Sequence, residues 1–297
     1  MDCWKTTAAL FTTFCLIFSG CKPPAFDGEK AYAETEALVQ IRPRDAGTGG
    51  ARRAAVHLEG RLKALGFKTV IDTFSEETST GKMFFNNVLG RLPGKTDRLI
   101  VLCSHFDTKS GIAEDFQGAN DSGSSSGVLL ELVRVLSEHT SLETGFLIAF
   151  FDGEECRVKY GPRDGLHGSR RLAKQIAEAG GAAAVEAVIL LDMVGDRNLN
   201  ISVPRNSSRV LVKELFSAAH ELGVRPQFGL YGHEILDDHV PFLMLGMPAI
   251  DVIDFEYGSV PGLNDYWHTT NDTLDKLSIE SMQTVGDVVL RMVENLQ

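Results

Sequence analysis

Short apolar runs recur along the chain, and three of them are typical of β-strands that are buried on both faces. They cover residues 98–103, 144–151 and 185–191. Strands of a parallel sheet are continuously apolar rather than alternating, because helices cover both faces of such a sheet. Residues 246–253 predict a further strand. The pattern therefore indicates a central, largely parallel sheet.

Between these runs the apolar positions alternate or follow the helical repeat. Residues 68–74 and 86–92 alternate like half-buried strands, and the polar residues 75–81 separate them. We expect both to be edge strands. Helical spacing predicts six helices, over residues 29–39, 51–65, 128–136, 168–179, 207–222 and 279–296. Strands and helices in this order indicate the α/β class.

Composition agrees with a globular α/β protein. The chain has 297 residues, of which 43% are hydrophobic and 23% are charged, enough for one large domain without requiring a second. The 40 acidic residues outnumber the 29 basic ones, so the formal net charge is -11. Nonspecific binding to nucleic acid or to anionic lipid is not expected for a chain with this net charge.

The first 21 residues predict an export signal. Lys5 precedes an apolar stretch, residues 6–18, that is too short to span a bilayer. Ser19 and Gly20 then precede Cys21, and this resembles the cleavage site of a bacterial lipoprotein. We expect Cys21 to be lipidated and the protein to lie in the bacterial cell envelope. Any attachment to the membrane would then be through this lipid. Simple secretion is the alternative. Residues 22–27 are predicted to be a tether and 28–297 the domain.

Two cysteines, Cys103 and Cys156, remain in the predicted domain. Export permits a disulfide between them. Cys103 lies in a buried-strand pattern, so two buried free thiols are an equally good interpretation.

Polar residues that can bind a metal ion follow the predicted strands or lie in the adjoining loops. The set combines imidazoles with carboxylates and contains no cysteine: His105, Asp121, Glu154, Glu155, Asp192 and His268. The carboxyl ends of the strands in an open α/β sheet form the usual binding crevice. Such ligands are typical of catalytic zinc. Taken singly, His105 would be structural, Asp121 a helix N-cap and the two glutamates a solvated turn.

Five motifs in order resemble the zinc aminopeptidase and glutaminyl cyclase superfamily over residues 28–297. The motifs are Ser104-His105-Phe106-Asp107, the Gly-Ala-Asn-Asp-Ser-Gly run at 118–123, Asp152-Gly153-Glu154-Glu155, Leu191-Asp192-Met193 and Trp267-His268-Thr269. The resemblance implies a single domain with a central mixed, mostly parallel sheet and helices on both faces.

The aminopeptidases of this superfamily hold two zinc ions. By resemblance, His105 and Asp192 would bind one ion, and Glu155 and His268 would bind the other. Asp121 would bridge the two ions. Glu154 would deprotonate the shared water.

The cyclases look similar but use one zinc ion, and the resemblance assigns it to Asp121, Glu155 and His268. Glu154 would move a proton while the amine of an N-terminal glutamine attacks its own side-chain amide. Asp192 and Asp237 would form a carboxylate network beside it.

Three features favour the cyclases over the aminopeptidases. They are the insertion at 156–164, the run Asp237-Asp238-His239-Val240-Pro241-Phe242 and the position of Trp267 directly before His268. Tyr160 stands where cyclases carry a pocket tryptophan. Asp251 stands at a position where the animal cyclases have a histidine. Trp267 taken alone could instead be part of the core.

The sequence therefore predicts a zinc-dependent glutaminyl-peptide cyclotransferase that acts on the N-termini of peptides or proteins. Catalysis would fall to Glu154, Asp192 and Asp237, with Trp267 and Tyr160 lining the pocket. A two-zinc aminopeptidase is the first alternative. A catalytically silent envelope binding protein is the second.

Overall fold

The computed structural model describes residues 25–139 and 142–297. The predicted signal peptide, Cys21 and residues 22–24 of the predicted tether lie outside these residues. Within them the chain forms one domain with seven α-helices: α1 Gly28–Val39, α2 Gly49–Ala64, α3 Ser125–Ser137, α4 His167–Glu178, α5 Arg209–Glu221, α6 Val240–Met244 and α7 Ile279–Asn295. Among the helices described, none combines the length and the apolar character needed to cross a bilayer.

Eight strands form a large sheet and a small one: β1 Lys68–Thr78, β2 Gly81–Leu92, β3 Leu99–His105, β4 Gly145–Phe151, β5 Val185–Asp192, β6 Ile201–Pro204, β7 Phe228–Tyr231 and β8 Ala249–Ile253. The large sheet has the order β1-β2-β4-β3-β5-β8, and β6 and β7 form the small parallel pair. Strands β3, β4, β5 and β8 are parallel, whereas β1 and β2 are antiparallel. The mixed, mostly parallel sheet is confirmed.

Alternate residues of the parallel strands point into two hydrophobic cores, as the period of two requires. In β3, Ile100 and Leu102 join the core under α1, α2, α3, α5 and α7. Leu99, Val101 and Cys103 join the core under α4 and α6. Helices therefore cover both faces of the sheet, which explains why the strand is continuously apolar.

The prediction that both alternating stretches are edge strands was wrong for one of them. Strand β1 lies at the edge, but β2 pairs with β1 on one side and with β4 on the other. The polar Asn87 in β2 is fully buried, and it donates to Gly168 O and accepts from the Asp152 N–H. Strands β1 and β2 also extend to Thr78 and Gly81, so residues 75–81 form a hairpin rather than a long separating loop.

The domain begins earlier than residue 28. Phe26 is buried in the main core, where its ring fills the space beside Gly286. The side chain of Asp27 caps α1 by accepting hydrogen bonds from the backbone N–H groups of Glu29 and Lys30. The last two residues of the predicted tether are therefore part of the domain.

Candidate active site

The parallel strands deliver their polar ends to one edge of the sheet. Strand β3 ends at His105 and β5 ends at Asp192, while Glu154 and Glu155 follow β4. All three strands run in the same direction, so these residues meet at one edge. The four residues are all buried.

Asp121 reaches this edge from a tight turn before α3. The turn, residues 119–124, is a π-helical turn in which Asp121 has non-helical backbone angles. Gly118 before it has a φ of 52°, and a Cβ there would lie 2.4 Å from Asp121 O. This position therefore requires glycine. No side chain caps α3, so the interpretation of Asp121 as an N-cap was wrong.

Three of these side chains form a group that can hold a metal ion. His268 Nε2 lies 2.8 Å from Glu155 Oε1 and 3.3 Å from Asp121 Oδ2. The ligand atoms of the three residues all lie within 4.8 Å of one another. His268 is brought here by the long loop after β8 and has a φ of 54°.

A second group lies directly behind the first and shares Asp121. His105 Nε2 lies 3.1 Å from Asp121 Oδ1 and 3.2 Å from Asp192 Oδ1. Its Nδ1 lies 3.6 Å from Asp107 Oδ1. His105 is therefore held among three carboxylates, and only 1% of its side chain is exposed.

Glu154 is held by a tyrosine. Gly153 has a φ of 77°, and a Cβ there would meet the ring of Phe85 at 2.5 Å, so glycine is required between strand and carboxylates. The backbone N–H groups of Glu154 and Glu155 both donate to the carboxylate of Asp107. Tyr160 Oη donates to Glu154 Oε1 at 3.0 Å.

A cavity of about 300 Å³ opens over the first group. Its floor is polar and its walls are mostly aromatic or aliphatic: Asp121, Glu154, Glu155, Tyr160, Asp192, Tyr231, His233, Glu234, Ile235, Leu236, Asp237, Ile253, Phe255, Trp267 and His268. Trp267 stacks on His268 with ring centroids 3.9 Å apart, and Phe255 meets Trp267 edge-on at 5.3 Å. The cavity therefore gathers eight of the predicted site residues, and His105 is not among them. The eight are Glu154, Glu155, Asp121, Asp192, Asp237, His268, Trp267 and Tyr160.

Burial and neighbouring charges shift the titration of these groups. Burial raises the pKa of Glu154, and the carboxylate of Glu155 raises it further. Burial, followed by the charge of Asp121, raises the pKa of Glu155 to about 7. Burial favours neutral Asp121, but hydrogen bonds from His105 and His268 outweigh it and lower the pKa of Asp121. Burial opposes the charged form of His268, yet its hydrogen bonds to Asp121 and Glu155 raise its pKa to about 9.

The residues of the first group fit a zinc ion. One imidazole and two carboxylates are the nitrogen and oxygen donors that catalytic zinc uses, with a fourth position left for substrate. Asp121 and Glu155 are 3% and 6% exposed. Two buried carboxylates this close repel each other, and a cation between them relieves that repulsion. With an ion held there, the side of the group that faces the cavity would be left for substrate.

Sequence reasoning missed two carboxylates that support the site. Asp107 was noted only as part of the motif around His105, although it holds the backbone of both glutamates. The carboxylate of Asp272 accepts hydrogen bonds from the backbone N–H groups of Asn120 and Asp121. Nothing in the local pattern identifies either role, because both depend on contacts between distant segments. Cys103 and Cys156 are both buried free thiols.

This fold and this cluster define an α/β protein of the metallopeptidase-like class. Residues 87–293 match the model of peptidase family M28, so the chain belongs to that family. The glutaminyl-peptide cyclotransferase of Boiga irregularis is 29% identical, over 87% of this chain and 79% of its own.

Solved structures agree with this assignment. An Acidobacteriales bacterium glutaminyl cyclase is 34% identical with a TM-score of 0.87, over 94% of this chain and 97% of its own. A Zn-dependent exopeptidase from Parabacteroides distasonis is 27% identical with a TM-score of 0.82, over 92% of this chain and 99% of its own. The resemblance to glutaminyl cyclases within the zinc aminopeptidase superfamily is therefore confirmed.

Proposed function

We propose that the protein is a glutaminyl-peptide cyclotransferase, which converts the N-terminal glutamine of peptides or proteins to pyroglutamate and releases ammonia. The observation that carries the proposal is the arrangement of one cavity, in which Glu154 lies beside the group formed by Asp121, Glu155 and His268. The similarity to the Boiga irregularis and Acidobacteriales cyclases supports it.

The reaction requires a proton to be moved within a closed space. The α-amine of the glutamine attacks the carbon of its own side-chain amide, so a C–N bond forms in the ring and the amide C–N bond breaks. One proton leaves the amine and another must reach the departing nitrogen, which leaves as ammonia. A single carboxylate can take the first proton and deliver it to the second position.

Glu154 suits this role by position and by titration. Its carboxylate lines the cavity, and its raised pKa brings proton uptake towards neutral pH, where a general base is most effective. Tyr160 donates to Oε1 and so orients the carboxylate while leaving Oε2 for the proton. Asp192 and Asp237 line the same cavity, and burial raises the pKa of both. They would complete a network that keeps Glu154 in place.

Asp121, Glu155 and His268 would hold one zinc ion. When bound there, zinc supplies a Lewis acid that polarises the side-chain carbonyl. The walls formed by Trp267 and Tyr160 would hold the glutamine in its folded form and exclude water, which favours cyclisation over hydrolysis.

The test is to mix the purified, zinc-loaded protein with a peptide that begins with glutamine and to measure ammonia and pyroglutamate. The same peptide with an acetylated amine is the control, because it lacks the nucleophile. We expect ammonia from the first peptide and none from the second. Absence of ammonia together with cleavage of aminoacyl anilides would overturn the proposal.

A two-zinc aminopeptidase is the second candidate, and a specific observation favours it. His105, Asp121 and Asp192 also form a group whose ligand atoms lie within 4.8 Å of one another. Two zinc ions per chain, with hydrolysis of N-terminal residues, would establish that function instead.

We also propose that the protein is exported and anchored through a lipid on Cys21. Labelling with a fatty-acid analogue in bacterial cells tests this, with Cys21→Ser as the comparison. Label on the unmodified chain and none on the variant is expected. Equal label on both would contradict the anchor.

A further inference from the structure

Asp272 is a fully buried carboxylate that belongs to neither group of candidate metal ligands. Its Oδ1 accepts from Asn120 N at 2.7 Å and from Tyr257 Oη at 2.9 Å. Its Oδ2 accepts from Asp121 N at 3.2 Å. Both carboxylate oxygens therefore bind the turn that carries Asp121.

The same residue also closes the turn that follows His268. The backbone N–H of Asp272 donates to Thr269 O at 3.1 Å and closes the turn 269–272, while Thr269 N donates to Tyr266 O and closes the turn that contains His268. His268 adopts a φ of 54°, an uncommon conformation for a residue other than glycine, so the turn needs support from its surroundings. Asp272 is thus a direct link between two segments that are distant in the sequence, each of which provides a candidate zinc ligand.

A buried arginine holds the start of the same turn. Arg44 is fully buried, and its guanidinium donates to Gln117 O and Gly118 O. Arg44 therefore binds the carbonyl groups at the start of the Asp121 turn, while the carboxylate of Asp272 accepts from the N–H groups of Asn120 and Asp121 that follow them.

We propose that Asp272 is a positioning residue that fixes the separation of Asp121 and His268 and thereby sets the affinity of the site for zinc. His268 Nε2 and Asp121 Oδ2 are 3.3 Å apart. Asp272 binds the turn that carries Asp121 and closes the turn that directly follows His268. The inference rests on the ligand set given under the proposed function, but not on the cyclisation chemistry.

The test replaces the carboxylate with its isosteric amide in Asp272→Asn. The amide keeps the shape but puts an NH2 group against a backbone N–H or a tyrosine hydroxyl. Zinc affinity is measured by competition with a chromophoric chelator, on the full chain, without any activity assay. We expect affinity to fall by about 10- to 100-fold, the usual effect of removing a group that orients metal ligands.

Asp254→Asn is the matched control, because it separates positioning from general destabilisation. Asp254 is also fully buried, and its carboxylate accepts from Asn200 N at 2.8 Å and from Glu256 N at 3.0 Å. Its backbone partners hold no candidate ligand. We expect Asp254→Asn to lower the melting temperature of the zinc-free protein in the way that Asp272→Asn does, with zinc affinity unchanged within about twofold.

Tyr257→Phe keeps the proposal testable if Asp272→Asn does not fold, because it removes one of three donors to the carboxylate. Zinc affinity is then expected to fall by up to about tenfold. Unchanged affinity in the variant that folds, or an equal loss in Asp254→Asn, overturns the positioning role. A protein with its native sequence that binds no zinc overturns the proposed ligand set itself, whereas one that binds zinc but makes no pyroglutamate overturns only the cyclase activity.

Discussion

Two of the groups in the described residues that can hold a metal ion share Asp121 but differ in what surrounds them. The group with Glu155 and His268 lines the cavity, and the side chain of His268 is 18% exposed. In the group with His105 and Asp192, the side chain of His105 is 1% exposed and does not line the cavity. Asp192 of the second group lines the cavity as well, so the two groups differ in their histidines. We call the group with His268 the open group and the group with His105 the closed group.

Both histidines lie among carboxylates, so their titration does not distinguish the two groups. Burial opposes a charged imidazole, but Asp192, Asp107 and Asp121 outweigh it and raise the pKa of His105. Asp121 and Glu155 raise the pKa of His268 in the same way, to about 9. The number of zinc ions bound by each group is therefore the measurement that separates the cyclase from the aminopeptidase.

The largest expected effect comes from exchanging the histidine in each group for glutamine. His268→Gln should abolish tight zinc binding and ammonia release, because it removes the only nitrogen ligand of the open group. His105→Gln should retain one zinc ion per chain, measured by elemental analysis after dialysis. Treatment with a strong chelator should reproduce the effect of His268→Gln, and added zinc should reverse it.

The opposite pattern would break the comparison. Two zinc ions in the native protein, with the loss of one of them in His105→Gln, would show that the closed group binds metal. The aminopeptidase would then be the better assignment.

The sequence predicted the candidate ligands because apolar strands of similar length end in polar residues at one edge. The end of each strand can be recognised from the local pattern. His268 does not end a strand, and it was assigned to the same site by the resemblance. The roles of Asp107 and Asp272 could not be predicted, because each binds the backbone of a segment far away in the chain. The prediction that β2 is an edge strand was wrong for a related reason. A polar residue such as Asn87 in a strand indicates a solvent-exposed face unless its buried hydrogen-bond partner is known.

The short strands β6 and β7 were also missed. Each has only four residues, which is too few for an alternating or a continuously apolar pattern to stand out from the surrounding sequence. The loop after β7 contributes Asp237 to the cavity.

The second largest effect is expected from Glu154→Gln. This variant tests whether Glu154 transfers the proton during the reaction beside the open group. An amide cannot accept the proton, so kcat for ammonia release should fall by about 10²- to 10⁴-fold. Zinc affinity should change by less than tenfold, because Glu154 is not in either ligand group. Glu138→Gln, at the far end of α3, is the control and should keep full activity. A variant within tenfold of the native rate would remove Glu154 from the mechanism.

A smaller effect is expected from Tyr160→Phe, which removes the hydrogen bond to Glu154 and nothing else from the cavity floor. A hydrogen bond to a charged group contributes about 1.5–3 kcal/mol, and partial replacement by water should leave a fall in kcat of about tenfold. The matched control is Tyr32→Phe, in which the lost hydroxyl donates to Leu274 O and not to the site. Equal kcat in both variants would mean that Tyr160 only lines the wall.

The smallest effect is expected from Trp267→Phe, and it distinguishes a wall of the cavity from a support of the open group. Trp267 stacks on the His268 ring and also lines the cavity. Phenylalanine keeps an aromatic face but less of it, and a loss of about 0.5–1 kcal/mol of aromatic contact corresponds to a two- to fivefold rise in KM. Because the wall contacts substrate and transition state alike, kcat should stay within about twofold. Zinc affinity, measured on the same preparations, should not change. If zinc affinity falls together with the rise in KM, the indole ring holds His268 in position, and the aromatic wall would then belong to the metal group itself.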